Sequence, residues 1–206
     1  MTYTTEQEDF WAGEFGDDYI NRNNDAELVA ANVALFARVL TATQSVGSVI
    51  EFGANIGLNL RAIRHLLPKA GLAAIEINAQ AVADLKKQSD LTVFHQSVLD
   101  FEPEITRDFV LIKGVLIHIN PDALAAVYEK LYQTSKRYIC VAEYYSPNPV
   151  EVPYRGHTGK LFKRDFAGEM MDRFSTLKLV DYGFVWHRDT LFPQDDITWF
   201  LMEKMG

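Results

Sequence analysis

Two carboxylates, a glycine-bounded turn and a histidine stand at intervals that could serve one ligand. Glu51 lies near the end of a short apolar run and is followed by Gly53-Ala54-Asn55-Ile56-Gly57. A second acid, Glu76, falls late in the next apolar run, AAIEIN, and His118 lies just beyond Lys113 and Gly114 in KGVLIHIN. Glycine in such a turn lets a ligand come close to the backbone, because no Cβ stands in the way. A diphosphate asks for more: in G-x-G-x-x-G the second glycine admits the phosphates. Here Asn55 takes that place. Its side chain crowds the approach, although asparagine tolerates the left-handed backbone of a tight turn. The pattern suits a nucleoside without phosphate.

S-adenosylmethionine is such a molecule. Its methionine end carries an ammonium and a sulfonium, whose charge Glu51 can offset directly or through water. Glu76 can accept both ribose hydroxyls. NAD would use that acid in the same way, so Asn55 separates the two ligands and Glu76 does not. The plainer reading is that Gly53 and Gly57 make a strand-to-helix turn and nothing more. His118 also has two readings. It is a packed ring that shapes the pocket, or a base of near-neutral pKa that takes a proton from a hydroxyl or amine. His65, His95 and His187 have no such positional case. Methyl transfer from a sulfonium is an in-line displacement in which alignment supplies much of the acceleration, so it does not demand an obvious base. Cys140 reads as a small hydrophobe within a strand, and no cluster has metal-ligand spacing.

These residues need elements to hold them. SVIEF (48–52), LAAIEI (72–77), LTVFHQ (91–96), DFVLIKG (108–114) and RYICVAEYY (137–145) read as strands; the fourth is apolar enough to be buried on both faces. Residues 57–67, 79–89 and 121–135 read as helices, the first stopped before Pro68 and the last with Pro121 in its first turn. Upstream, 5–20 reads as one amphipathic helix carrying Phe10, Trp11, Phe15 and Tyr19. NRNNDAEL is a polar break with Asn24 or Asp25 as N-cap, and 26–43 is a further helix. Downstream come a long loop over 146–166, a helix over 164–173, and two strands, LKLVDYGFVWHRD and DITWFLMEKM, joined near Pro193. The pattern predicts a single α/β domain over 1–206. Its centre is a doubly wound, mostly parallel, seven-stranded Rossmann-like sheet ending in a C-terminal antiparallel β-hairpin. Residues 1–45 form an N-terminal helical cap, 46–145 the cofactor-binding core, and 146–206 a substrate loop, helix and terminal hairpin.

Bulk properties bound the possibilities. The chain of 206 residues is 48% hydrophobic and 23% charged, enough for one domain with a full core. No apolar run approaches the ~20 residues of a membrane span. The acidic start lacks the basic and apolar blocks of a signal peptide, and a single cysteine excludes an internal disulfide. These features fit a cytoplasmic protein. A net charge of −8 argues against a nucleic-acid partner, which leaves a small-molecule acceptor. Within this acidic chain, YRGHTGKLFKR (154–164) carries Arg155, Lys160, Lys163 and Arg164. A charge run is commonly a solvated face. It could instead recognise an anion, with Arg155 gripping a carboxylate or phosphate bidentately.

EFGANIGLNL, AIEIN, SVLDF and DFVLIKGVLIHINPD resemble the successive motifs of a class I S-adenosylmethionine-dependent methyltransferase. FWAGEFGDDYINRN, KGVLIHINPD, EYYSPNPVEVPYRG and KLFKRDFAGE resemble, more narrowly, the pseudaminic-acid-biosynthesis-associated methylase family. Most members of the superfamily carry a glycine where this chain has Asn55. The resemblance implies methyl transfer to an oxygen or nitrogen of a small, anionic, sugar-type acceptor. It implies that Gly53, Ala54, Asn55 and Gly57 hold the methionine part, that Glu76 holds the ribose, and that Ile77, Ser97 and Val98 border the adenine. Lys113 and Gly114 would lie beside the methyl group with His118 nearby, and Trp11 and Tyr19 would close over the ligand. Tyr145, Tyr154, Arg155 and Lys160 become the candidate acceptor contacts. Two rivals use the same fold: a nicotinamide-dependent oxidoreductase, disfavoured by Asn55, and a non-catalytic nucleoside-binding module.

Overall fold

Each apolar run that reads as a strand takes its place in one sheet. The computed structural model describes residues 3–22 and 26–205. The strands β1 (Ser48–Phe52), β2 (Gly71–Glu76), β3 (Leu91–His95), β4 (Arg107–Lys113) and β5 (Ser135–Glu143) pair in parallel. A separate ribbon holds β6 (Val150–Glu151) and β7 (Phe162–Lys163), and β8 (Leu177–Val185) and β9 (Ile197–Lys204) return to the main sheet. Its order is β3-β2-β1-β4-β5-β9-β8, with β9 antiparallel to both neighbours. The connections diverge between β1 and β4, which puts the turn after β1 at the crevice where open sheets bind ligands.

Helices cover both faces: α1 (Glu6–Ala12), α2 (Glu14–Arg22), α3 (Ala26–Thr41), α4 (Leu58–Leu66), α5 (Ala79–Leu85), α6 (Leu124–Thr134) and α7 (Phe166–Arg173). Strand β4 shows why its sequence does not alternate. Phe109 and Leu111 pack towards Phe36 and Val39 of α3 and Leu60 and Ile63 of α4. Val110 and Ile112 pack towards Val127 and Leu131 of α6 and Met170 of α7. Burial of each such side chain contributes about 1.5–3 kcal/mol. Among the described residues no helix is long and apolar enough to cross a membrane.

The structure departs from the sequence reading in four places. The single helix expected over 5–20 is two, because Gly13 is extended (φ −98°, ψ −156°) and its N–H closes α1 on Asp9 O. The loop expected over 146–166 contains the β6–β7 ribbon. Helix α5 ends at Leu85 rather than Ser89, and a 3-10 turn (Pro121–Ala123) precedes α6. The expected caps Asn24 and Asp25 lie outside the described residues.

Candidate functional site

The five residues after β1 turn the chain into α4 by using their own amides. Gly53 N and Ala54 N donate to Ile75 O (2.9 and 3.0 Å), and Asn55 N donates to Glu76 Oε2 (2.7 Å). Ile56 N donates to Asn55 Oδ1 (2.6 Å) and Gly57 N to Ala54 O (2.8 Å). Asn55 takes φ +48°, so it fills the left-handed position that the tight turn needs. A phosphate cradle presents free N–H groups; here every amide from Gly53 to Gly57 is already satisfied. At Gly53 packing and a φ of +72° both require glycine. A Cβ there would stand 2.6 Å from Val115 Cγ2, in the turn after β4. The glycine that opens freely is Gly114 (φ +67°), where a Cβ would meet nothing within 4 Å.

These turns and the cap enclose a cavity of about 350 Å³. Ala54, Asn55, Glu76, Ile77, Ser97 and Val98 line it from the ends of β1, β2 and β3. Gly53, Lys113, Gly114 and His118 line it around the end of β4, and Trp11 and Tyr19 from the cap. Gly57 and Glu51 are not in the lining. A Cβ at Gly57 would point at Leu85 and Gln88. Glu51 is wholly buried and is held through Asn59, which does line the cavity and whose Nδ2 donates to Oε1 at 2.5 Å.

Burial sets the state of each ionisable group. Glu76 accepts from two backbone amides, Asn55 N and Asn78 N, both at 2.7 Å. Burial raises its pKa against those bonds. The same cause pushes Glu51 up to about 8 and Glu143 up to about 7. Lys113 is lowered, burial outweighing the pull of Glu51, Asp195 and Glu143. His118 Nδ1 lies 2.6 Å from Lys160 O. A carbonyl can only accept, so Nδ1 carries the proton and Nε2 is bare. Burial pulls this ring down to about 4, which corrects the expectation of a pKa near neutrality. Neutral His118 can accept a hydrogen bond from a nucleophile over the whole physiological range.

Part of the basic loop fastens the cap. Lys160 is buried, and its Nζ sits 3.0 Å from Glu6 Oε2 and 5.4 Å from the Phe10 ring. Gln7 Nε2 donates to Gly159 O (2.8 Å), so residues 159 and 160 fasten α1. Tyr154 packs against His118 (ring centroids 5.0 Å) and more loosely against Trp11 (6.5 Å). Arg155 is exposed at φ +48°, 5.9 Å from the Tyr154 ring. Lys163 lies over Tyr144, and Arg164 pairs with Glu169 at 2.7 Å. Tyr145 is 43% exposed, with its ring 6.0 Å from Phe200. None of Tyr145, Tyr154, Arg155 and Lys160 lines the cavity.

Several residues of the site escaped the sequence reading, among them His187 and Asp195, which line the cavity although no positional case was seen for His187. Asn78 caps α5 through Ala81 N, and its Nδ2 donates to Asp17 Oδ1 (2.8 Å), tying the cap to the sheet. Glu143 Oε1 accepts from Val115 N and Leu116 N, each at 2.9 Å, and so fixes the turn that carries Gly114 and His118. It ends an apolar strand just as Glu76 does, and that signal was available. Gln194 reaches the cavity because the β8–β9 turn folds back onto α3. Its Nε2 donates to Ala31 O (2.9 Å), and its Oε1 is buried without a hydrogen-bond partner among the described residues. Nothing in the local sequence announces that. Among the described residues no group of three or more His, Cys, Asp or Glu is placed to hold a metal ion.

No protein-family model matches the chain, and no curated protein matches its sequence. Solved structures do resemble it. A 1,6-didemethyltoxoflavin-N1-methyltransferase of Burkholderia thailandensis, with bound 1,6-didemethyltoxoflavin and S-adenosylhomocysteine, aligns over 100% of this chain and 93% of its own (TM-score 0.70, 14% identity). The magnesium protoporphyrin IX methyltransferase of Synechocystis PCC 6803, with bound S-adenosylhomocysteine, aligns over 96% and 97% (0.68, 12%). The N-methyltransferase NodS of Bradyrhizobium japonicum WM9 aligns over 88% and 99% (0.65, 12%). At such identities the likeness is one of architecture: the chain has the Rossmann-like fold of class I S-adenosylmethionine-dependent methyltransferases.

Proposed function

We propose that the chain is an S-adenosylmethionine-dependent methyltransferase acting on an oxygen or nitrogen of a small molecule. One observation carries the reading. The glycine turn has no free amide between Gly53 and Gly57, yet it braces an acid, Glu76, on the cavity wall. That combination suits a ribose and leaves nothing for a diphosphate, so it favours this cofactor over a nicotinamide dinucleotide. The bound cofactor supplies a methyl group on a sulfonium. The chain's own part is to hold ribose hydroxyls on Glu76, to admit the reacting end at Gly114, to exclude water with Trp11 and Tyr19, and to align the nucleophile beside His118 Nε2. The bound S-adenosylhomocysteine in structures of the same fold supports the choice.

The finer reading, an anionic sugar-type acceptor of a pseudaminic acid pathway in the cytoplasm, rests on the sequence resemblance and on Arg155. Lys160 is engaged with Glu6, so Arg155 is the cation of that pair left to meet an acceptor carboxylate or phosphate at the rim. The test is incubation with deuteriomethyl-labelled S-adenosylmethionine and a pool of small hydroxyl and amine compounds, followed by mass spectrometry. Label transfer together with S-adenosylhomocysteine is expected. Cofactor binding without any transfer across sugar acids, amines and heterocycles would leave a nucleoside-binding module instead. Transfer to neutral compounds alone would remove the anionic acceptor and keep the methyltransferase.

A further inference from the structure

We infer that Glu143, together with Glu51, Lys113 and Asp195, forms a charged floor that distinguishes the cationic sulfonium of the cofactor from the neutral thioether of the product. The inference rests on the cofactor reading above. It concerns residues that the turn and the ribose contact leave unexplained.

Neighbouring strands bring these four groups to one edge of the sheet. Glu51 lies near the carboxyl end of β1, Lys113 at the end of β4 and Glu143 at the end of β5. Pairings Glu51↔Leu111, Lys113↔Ala142 and Glu143↔Thr198 keep those ends level. Because β9 is antiparallel, Asp195 just before it arrives at the same edge. Lys113 and Asp195 line the cavity, while Glu51 and Glu143 are buried behind it. Lys113 interacts electrostatically with all three acids.

Fully ionised, the floor carries two negative charges in excess. Three carboxylates face one ammonium. Glu51 Oε2 and Glu143 Oε2 are buried and have no hydrogen-bond partner among the described residues. A buried carboxylate oxygen without a partner is unfavourable, and a positive charge above it relieves that. Glu143 is also fixed in place. Its other oxygen holds Val115 N and Leu116 N, so its charge has a set position relative to Gly114, where the reacting end enters. Cofactor and product share adenosine, ammonium and carboxylate and differ by the methyl group and the positive charge it gives the sulfur. A floor with surplus negative charge therefore binds the first and releases the second.

The other charged groups around the cavity act differently. Glu76 on β2 faces the ribose common to both ligands. Asn59 on α4 and Cys140 on β5 are neutral neighbours. Burial takes His118 to about 4, below the range that matters. His187, in the β8–β9 turn, pairs with Asp196 at 2.8 Å and needs a control. Burial places Glu143 and Glu51 at about 7 and about 8. Between pH 6 and 8 these acids ionise and strengthen the floor.

The experiment is titration calorimetry of the full chain with S-adenosylmethionine and with S-adenosylhomocysteine at pH 6, 7 and 8. The sulfonium lowers the pKa of its own ligand's ammonium, but titration of the ligands is the same for the unaltered protein and a variant and cancels between them. Preference for the cofactor should rise about ten-fold from pH 6 to 8, below the limit of ten-fold per pH unit for one linked proton. Glu143→Gln keeps an oxygen for the two amides and removes the charge, so it should lessen that rise to the part due to Glu51 and lower the preference at pH 8. His187→Gln should leave the rise intact. A pH-independent ratio in the unaltered protein overturns the inference even if no variant folds, and so does a rise that is undiminished in Glu143→Gln. Failure of both ligands to bind overturns instead the cofactor reading beneath it.

Discussion

At the scale of single residues, position was legible and protonation was not. Glu76 and His118 stand where the strand ends put them. Burial sets the state of His118, and a carbonyl 42 residues away at Lys160 sets its tautomer; no local pattern reveals either. Because that ring titrates near 4, saturated turnover should stay level from pH 8 down to about 5.5 as far as His118 governs it. A pH–rate profile falling with an apparent pKa near 6.5 and abolished by His118→Asn would contradict its buried, neutral state. Glu76→Gln should weaken S-adenosylmethionine binding by roughly 1.5–3 kcal/mol, since a charge-assisted pair of hydroxyl bonds is lost. It should also lower the melting temperature, because an amide NH₂ is turned against Asn55 N or Asn78 N. Calorimetry and thermal melting separate the two effects. Unchanged cofactor affinity would remove Glu76 from the ribose.

At the scale of elements, the sequence marked the glycine turn, which the structure places on the cavity wall, but not its part as a packing joint. The sequence could not show that Gly53 makes room for Val115, because that contact joins two turns 62 residues apart. Gly53→Val should therefore push the turns after β1 and β4 apart, with a stability loss of about 1–3 kcal/mol from overpacking and strongly reduced cofactor affinity. Normal binding with normal melting would contradict the joint. The loop 154–164 was read as an anion grip because its charges are adjacent in sequence. The partner of Lys160 is distant: it meets Glu6 across 154 residues. Lys160→Met should loosen the cap and raise the cofactor dissociation constant several-fold, whereas Arg155→Ala should leave it unchanged. Equal effects from the two variants would show that the loop does not fasten the cap.

At the scale of the whole molecule, periodicity alone marked out the main strands and the doubly wound arrangement, since a strand buried on both faces has no polar residue to spare. What it missed are features fixed by long-range closure: the β6–β7 ribbon, the return of Gln194 to α3, and the row of charges at one sheet edge. That row has a cost in the free protein. Glu143 holds its proton up to about pH 7, whereas an unfolded glutamate releases it near ~4.3. Between those values the folded state binds more protons, so stability falls as pH rises. Glu143→Gln removes that contribution, and its stability relative to the unaltered protein should improve by on the order of 2 kcal/mol from pH 5 to pH 8, read by denaturant titration. A constant difference would mean that Glu143 ionises normally. The central claim is that this cavity holds S-adenosylmethionine and not a dinucleotide, and calorimetric titration of the unaltered protein with each ligand tests it most directly. The satisfied amides of the turn and the braced Glu76 predict saturable binding of S-adenosylmethionine and none of NAD. Binding of NAD with no binding of S-adenosylmethionine would contradict the account.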